Sequence, residues 1–206
     1  MTRAVAALLA LITGAVLLVG CGGGGDQVTG LKGFTRDPVP EVGGVSLPDV
    51  GAGGEERPLR AAPGDLLVVY FGFTSCPDIC PTTLGDVRAA LKRLPAAQRE
   101  RVEVAMVTVD PKRDTATVMR GYVGHFFTKW RAYRTTDAAA LAAAEKAFGA
   151  SHSITPTKDG EYDVVHSAFT YVVDDQGRVV VEWPFGMPRR DITADLSTLL
   201  GEDANT

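Results

Sequence analysis

The stretch Val68-Val69-Tyr70-Phe71-Gly72-Phe73-Thr74-Ser75-Cys76-Pro77-Asp78-Ile79-Cys80-Pro81 predicts both the fold of this chain and the place of its chemistry. It opens with apolar and aromatic residues, which are typical of a buried strand, and this strand is expected to end at Gly72. Two cysteines follow, four positions apart, and each precedes a proline. The strand therefore brings a pair of thiols to its carboxyl end, where a helix begins, and open α/β sheets bind ligands in that crevice.

The segment after the thiols predicts a helix, a second buried strand and another helix. The first helix begins near Pro81, since proline suits the first helical turn, and it ends before Pro95. Its apolar face is formed by Leu84, Val87, Leu91 and Leu94. The mostly apolar run Val102–Val109 is typical of a central parallel strand. The helix from about Thr115 carries its apolar residues at helical spacing, namely Val118, Tyr122 and Phe126.

The rest of the chain completes a thioredoxin-like pattern. The remaining predicted elements are a short strand at 130–133, an alanine-rich helix from Asp137 to Gly149, a loop at 151–163, a strand at 164–173, its hairpin partner at 178–183 and a final helix near 191–200. This order predicts an α/β domain with a mixed sheet, an antiparallel hairpin at its end and helices on both faces. Residues 41–64 are expected to add a hairpin-like N-terminal extension.

The N-terminal residues have the pattern of a bacterial lipoprotein signal. Arg3 precedes a nearly continuous apolar run over residues 4–18, and small residues lead to Cys21. The predicted organisation is a signal peptide at 1–20, a lipidated Cys21 that opens a flexible glycine-rich tether at 21–40, a domain at 41–203 and a tail at 204–206. An ordinary signal peptide or an uncleaved anchor helix is the alternative, although the run is short for a spanning helix of about 20 residues.

Composition and leader together narrow the class of protein. The formal net charge of −4 is small and not clustered, so no nucleic-acid partner is expected. Three cysteines are too few for a disulfide framework. Either form of the leader places the domain outside the cytoplasm, where disulfides persist. Lipidation would hold it on the extracytoplasmic face of the bacterial cell membrane.

Cys76 and Cys80 are spaced for joint chemistry. Residues four apart are neighbours on a helical turn, and the amino end of a helix lowers the pKa of a thiol. Two thiolates are soft ligands, which select Cu(I) and Zn over Mg or Ca. The same geometry permits an internal disulfide. A purely stabilising disulfide is a weaker interpretation, because so short a loop contributes little by loop entropy.

A copper or zinc site needs a third ligand, and the chain offers three histidines. His125 continues the spacing of a predicted helix and is expected in solvent. His152 lies in the predicted loop and could move. His166 lies near the start of a strand that the fold would place beside the first strand, so it is the favoured ligand.

Three motifs resemble the SCO/SenC family: FGFTSCPDICP at 71–81, VDPKRDT at 109–115, and a histidine, His166, ahead of the YVVD hairpin at 171–174. The resemblance covers roughly residues 41–203. Members of this family are membrane-anchored, thioredoxin-like copper-binding proteins that serve the assembly of cytochrome c oxidase. The resemblance implies that Cys76, Cys80 and His166 bind Cu(I) or Cu(II) and that Asp110 sits close to the site and influences it. It also implies the copper-site subunit of the oxidase as the partner.

Two other functions would use the same residue types. A thiol-disulfide oxidoreductase or thiol peroxidase would use the cysteine pair in redox chemistry. Thioredoxin-type reductases, however, have two residues between their cysteines and a proline facing them, whereas this chain has three residues and a histidine in that region. Reduction of a partner's cysteines is still compatible with copper delivery. A purely structural zinc site is disfavoured because two cysteines and one histidine leave a fourth position open.

Overall fold

The computed structural model describes residues 30–201, which contain nine strands, five α-helices and a short 3₁₀-helix at Val50–Ala52. The strands are β1 (Ser46–Asp49), β2 (Glu55–Pro58), β3 (Leu66–Gly72), β4 (Val102–Thr108), β5 (Trp130–Tyr133), β6 (His152–Pro156), β7 (Tyr162–His166), β8 (Phe169–Val173) and β9 (Val179–Pro184). The helices are α1 (Ile79–Leu91), α2 (Ala96–Glu100), α3 (Ala116–Phe126), α4 (Ala138–Phe148) and α5 (Arg189–Leu200).

Seven strands form one mixed sheet in the order β2-β1-β5-β4-β3-β8-β9. Strands β3, β4 and β5 are parallel, and β8 and β9 form an antiparallel hairpin beside β3. Every residue of β3 is buried, as a strand covered on both faces requires. Because Gly72 lies opposite Thr108, the carboxyl ends of β3 and β4 meet at one edge. The predicted thioredoxin-like fold with its N-terminal hairpin, β1 and β2, is confirmed.

Helices cover both faces of this sheet. Helix α1 links β3 to β4, and α3 links β4 to β5 in the same direction, so both lie on one face, where α5 contacts α1. Helix α4 covers the opposite face, where the Phe148 ring lies 5.3 Å from the Phe71 ring and 5.2 Å from the Tyr171 ring. Successive residues of a strand alternate between faces. Tyr70 therefore points to the face that carries α1 and the thiols.

The structure confirms the predicted ends of α4 and shows which face of α3 is buried. Asp137 accepts a hydrogen bond from the Ala139 amide at 2.8 Å and caps α4, and Gly149 ends that helix with a left-handed φ of 70°. The apolar row at Val118, Tyr122 and Phe126 in α3 is not the most deeply buried one, although Tyr122 and Phe126 pack against the core. Val118 is 44% exposed, and the buried residues are Met119 and Val123. Both rows have helical spacing, so only the fit against the sheet decides between them.

Residues 151–163, which the sequence predicted as a loop, contain most of a second, two-stranded sheet. Strands β6 and β7 pair antiparallel, with His152 opposite His166. The strand predicted at 164–173 therefore breaks after His166, and its two halves belong to different sheets. Four of the five residues of β6 are exposed, whereas four of the five in β8 are buried. The hairpin is thus held by backbone pairing and side-chain contacts rather than by a buried face, and hydrophobic periodicity does not report it.

Residues 30–40 lie against the domain, although the sequence predicted a flexible tether over 21–40. The amides of Lys32 and Gly33 donate to the buried carboxylate of Asp195 at 2.6 and 3.0 Å. Phe34 then pairs with Glu182 of β9 through two backbone hydrogen bonds. Lys32, Gly33 and Phe34 therefore pack on the domain, ahead of the boundary predicted at residue 41.

Other predictions for the two chain ends fall outside the described residues. These are the signal peptide at 1–20, lipidation of Cys21, the first part of the tether and the tail at 204–206. Within residues 30–201, none of the helices combines the length and the apolar character that crossing a membrane requires.

The carboxylate of Asp114 joins the loops that follow β3 and β4. It is fully buried. It accepts hydrogen bonds from the Thr74 amide at 3.1 Å, from the Thr74 hydroxyl at 2.5 Å and from the Thr108 hydroxyl at 2.6 Å. Thr74 lies two residues before the first cysteine of the thiol pair. Asp114 therefore fixes the path of the chain from β3 into the thiol loop.

Replacing Asp114 by asparagine is expected to destabilise the domain by about 2 kcal/mol, because an amide nitrogen would face one of the buried donors and hydrogen bonds to a charged group would be lost. Urea unfolding of the domain measures this free energy. Asp86→Asn is the matched control, since Asp86 pairs with Arg189 at the surface and such pairs contribute less than about 1 kcal/mol. Equal losses in the two variants would contradict the structural role of Asp114.

Candidate metal centre

The two cysteines differ in their exposure to solvent. Cys76 lies in the loop between β3 and α1 and is half-buried, whereas Cys80 lies in the first turn of α1 and is fully buried. Both are free thiols. The Cys80 amide points at the Cys76 sulfur, with the nitrogen and Sγ 3.4 Å apart. The amino end of α1 therefore stabilises negative charge on Cys76.

Burial reverses the expected electrostatics at Cys80. The sequence predicted that the helix amino end would lower the pKa of both thiols, but burial raises the pKa of the Cys80 thiol to about 12. Desolvation disfavours a thiolate unless a charge nearby compensates it. Cys80 is consequently a neutral thiol at pH 7, and a metal ion must displace its proton.

His166 completes the cluster from the end of β7. Its Nε2 lies 3.4 Å from Cys80 Sγ, and its Nδ1 lies 2.9 Å from the Ser167 carbonyl oxygen. Since a carbonyl only accepts, Nδ1 carries the proton and Nε2 presents a lone pair to the sulfur. Burial lowers the pKa of His166, which keeps the ring neutral. The two sulfurs and a ring nitrogen all lie within 4.8 Å of one another.

The other two histidines lie outside this cluster. His125 is exposed on α3 and contacts the Phe126 ring. His152 lies opposite His166 in the hairpin, but its Nδ1 pairs with Glu145 Oε1 of α4 at 2.6 Å. Among residues 30–201, the group able to hold a metal ion is Cys76, Cys80 and His166. The three residues favoured by the sequence are therefore the three that the fold brings together.

Asp110 lies beside the cluster and contacts it through other residues. Its buried carboxylate forms an ion pair with Arg113 and accepts a hydrogen bond from the Tyr162 hydroxyl at 2.8 Å. The Arg113 guanidinium lies 4.2 Å from the centre of the Tyr162 ring and 5.6 Å from that of Phe73. Tyr162 begins β7, and His166 ends it. Asp110 and Arg113 therefore hold the strand that carries the histidine.

Tyr162 is a site residue that the sequence analysis missed. Its signal was weak, because it lies in a segment predicted as loop, and its role depends on the two-stranded sheet. The rings of Tyr70 and Phe73 were also not assigned. Both meet the His166 ring edge-on with centroids 5.8 Å apart. These contacts restrict the rotation of the imidazole.

Buried hydroxyl groups lie beneath the sulfurs. The hydroxyl oxygens of Tyr70, Thr83 and Tyr122 are buried and have no aligned hydrogen-bond partner within residues 30–201. Burial raises the pKa of both tyrosines above the ordinary value. The tyrosines are therefore neutral phenols at pH 7 and remain able to donate a hydrogen bond.

The glycine at the end of β3 makes room for this arrangement. A Cβ atom at Gly72 would lie 2.6 Å from the Tyr70 ring and 3.1 Å from Cys80 Sγ. Neither neighbour can withdraw, because both are held in the core. The tyrosine ring and the buried sulfur therefore approach each other across a position that only glycine fits.

Comparison with known proteins gives consistent matches. The SCO1/SenC family model matches residues 50–201. A SCO2-like protein of Rickettsia prowazekii is 34% identical over 131 residues, which is 63% of this chain and 63% of that protein. The chain thus spans less than two thirds of the length of this relative.

The matches to solved structures cover a larger share of this chain. The structure of Bradyrhizobium japonicum ScoI with copper bound is 30% identical, with a TM-score of 0.63, and the match covers 75% of this chain and 97% of that one. The solution structure of apo Sco1 from Thermus thermophilus is 29% identical, with a TM-score of 0.69 over 81% and 95% of the two chains. From the family match over residues 50–201, together with these neighbours and the grouped cysteines and histidine, the chain belongs to the SCO1/SenC family.

Proposed function

We propose that this protein is a copper chaperone, which binds one copper ion through Cys76, Cys80 and His166 and passes it to the copper-site subunit of cytochrome c oxidase. The observation that carries the proposal is the convergence of two sulfurs and a neutral imidazole within 4.8 Å. Copper in the structure of a 30% identical relative supports the choice of metal. The oxidase as recipient follows from the resemblance to the SCO/SenC family.

The donor set fits copper better than hard cations or a structural zinc ion. Thiolate sulfur is a soft ligand that suits Cu(I), and imidazole nitrogen suits Cu(II) as well. Magnesium and calcium prefer oxygen ligands. A structural zinc site has four protein ligands, whereas three candidates meet here. A site with three protein ligands leaves room for a group from a partner.

Exposure decides how copper would enter and leave. The Cys76 sulfur is the accessible one, because Cys80 is buried against Tyr70 and His166. A thiolate of the recipient would first share the ion with Cys76, and the bond to Cys80 would break last. Each thiol releases its proton when it binds the metal and takes one back when the ion departs. An oxidised pair has no thiolates to offer, so loading requires the dithiol form.

The same asymmetry favours a second candidate, a thiol-disulfide oxidoreductase that acts on the cysteines of a copper-site partner. The Cys76 thiolate would attack a disulfide of the partner and release one partner thiol. Cys80 would then attack the Cys76 sulfur, releasing the second partner thiol and leaving a Cys76–Cys80 disulfide. Two electrons and two protons pass to the partner in this step. The half-buried position of Cys76 and the buried position of Cys80 fit attack and resolution in that order.

We further propose that lipidated Cys21 holds the protein on the extracytoplasmic face of the cell membrane. Support comes from the apolar run at 4–18 and the small residues that precede Cys21. Near the start of the described residues, the amides of Lys32 and Gly33 reach Asp195 of α5. The thiol pair lies instead at the carboxyl ends of the strands, so anchoring would leave it open to a partner in the membrane.

Cys76→Ser and Cys80→Ser are each expected to abolish tight binding of one copper ion, because each removes half of the soft ligands. Copper titration of the reduced domain measures the stoichiometry. The loaded wild type, mixed with the copper-free copper-binding domain of the oxidase subunit, should transfer the ion. His125→Ala is the control and should bind and transfer as the wild type does. Wild-type copper affinity in either serine variant, or a loaded protein that retains its ion, would refute the chaperone proposal.

His166→Ala should weaken Cu(II) binding by more than about 100-fold, which exceeds the usual effect of losing only a ligand's hydrogen-bond partner. Cu(I) binding should fall less, since two thiolates can hold Cu(I) at low coordination. Competition titrations with chelators of each oxidation state measure both affinities. His152→Ala is the matched control, because His152 lies opposite His166 and binds Glu145. A larger Cu(II) loss in the control would reassign the nitrogen ligand.

The anchor is tested by the intact mass of protein extracted from membranes. The expected mass is that of a chain beginning at Cys21 with attached lipid, and the protein should resist salt washing, because several acyl chains hold far more strongly than one. Cys21→Ser should leave an unprocessed precursor. Copper binding by the domain should be unchanged in that variant. A mass that starts at Met1, or at any residue other than Cys21, would identify an anchor helix or an ordinary signal peptide.

A further inference from the structure

The buried hydroxyls of Tyr70 and Thr83 form an unusual feature next to the buried cysteine. Tyr70 is 1% exposed and Thr83 is 8% exposed, and neither hydroxyl oxygen has an aligned partner within residues 30–201. A buried polar group left without a hydrogen bond costs about 1–3 kcal/mol. Such groups are few in folded proteins and need an explanation. The explanation here lies in what surrounds them.

The two residues that carry these hydroxyls are both neighbours of Cys80. The Tyr70 ring and the Cys80 sulfur both face Gly72, at 2.6 and 3.1 Å from the position that a Cβ atom would occupy there. Burial raises the pKa of the Tyr70 hydroxyl most, and Cys80 and Thr83 both act on that pKa as well. Thr83 lies three residues after Cys80 on α1, so their side chains are neighbours on the same face of the helix. The Cys80 sulfur also has the Phe73 amide nearby. The imidazole Nε2 at 3.4 Å presents a lone pair and cannot donate to it.

The two sulfurs therefore differ in what can stabilise negative charge on them. Cys76 has the amide of Cys80 and contact with solvent. Cys80 is closed off from water and needs donors from the protein. A phenol offers one O–H donor and can accept as well, and a threonine hydroxyl does the same. Both unpartnered hydroxyls are satisfied if Thr83 donates to the Tyr70 oxygen and Tyr70 donates to the sulfur.

We propose that Tyr70, oriented by Thr83, donates a hydrogen bond to the Cys80 sulfur when that sulfur carries charge, and so sets its strength as an electron donor. This inference rests on the proposed copper site. Tyr70 is a positioning residue that acts through Cys80. No proton leaves the tyrosine, because the hydroxyl only turns toward the sulfur as the thiol proton is replaced by the metal.

The hydrogen bond from Tyr70 to the Cys80 sulfur changes the relative stability of bound Cu(I) and Cu(II). A hydrogen bond to a cysteine sulfur withdraws electron density, and such bonds tune the redox potential of copper–thiolate sites. Cu(II) depends more than Cu(I) on electron donation from sulfur. Tyr70 therefore favours Cu(I) over Cu(II), which suits an ion that is to be passed between thiolates.

Tyr70→Phe is the test, because it deletes the donor and keeps the ring that contacts His166. In the variant, the sulfur-to-Cu(II) charge-transfer band should move to longer wavelength and the Cu(II)/Cu(I) potential should fall, while one copper ion still binds. Thr83→Val should produce a smaller shift in the same direction, and it keeps the test open if the first variant does not fold. In the Cu(I) protein, proton NMR should show one slowly exchanging hydroxyl that Tyr70→Phe removes.

Tyr171→Phe is the matched control, since it deletes a hydroxyl from a buried tyrosine on the opposite face of the sheet, and its band should not move. An unchanged band and potential in Tyr70→Phe at full copper stoichiometry would overturn the proposal while leaving the copper site intact. A shift in Tyr122→Phe and none in Tyr70→Phe would overturn it too. A wild-type protein that binds no copper would refute the proposed function itself.

Discussion

The buried carboxylate of Asp114 is the interaction on which the site depends. The parallel strands β3 and β4 end side by side, and the loops that follow them are not held by strand pairing. Asp114 supplies the missing partners, with bonds to the amide and hydroxyl of Thr74 and to the hydroxyl of Thr108. Because the two loops share this charged acceptor, they are held together at the edge of the sheet and form a rigid rim there. The thiols are attached to this rim.

A second set of contacts brings the histidine to that rim from a distant part of the chain. The hairpin of β6 and β7 has little buried surface, so its position depends on a few directed contacts. Asp110 accepts from Tyr162, Arg113 lies over the same ring, and the ends of the hairpin are joined between Ser151 and Ser167. The motif at 109–115 thus serves both halves of the site, since Asp114 holds the thiol loop and Asp110 holds the histidine strand.

Local signals predicted the central fold and the cysteine pair, whereas His166 was favoured because the predicted fold placed its strand beside the first strand. Buried strands, a proline at the start of α1 and the cap at Asp137 each act within a few residues. The exposed hairpin was missed because it has no apolar face to reveal it. In α3 two apolar rows have helical spacing, and only packing against the sheet determines that Met119 and Val123 are the most deeply buried. The neutral thiol of Cys80 was also beyond sequence, since its pKa depends on burial by residues far away in the chain.

The packed segment before residue 41 changes how the edges of the sheet can meet other proteins. Strand β9 would be an edge, yet Phe34 pairs with the amide and carbonyl of Glu182, and the Pro40 carbonyl accepts from the Val179 amide. The opposite edge, β2, has only four residues, and three of these are charged. Short, charged or covered edges resist the addition of a foreign strand. Both edges of the seven-stranded sheet therefore disfavour β-augmentation and edge-to-edge aggregation.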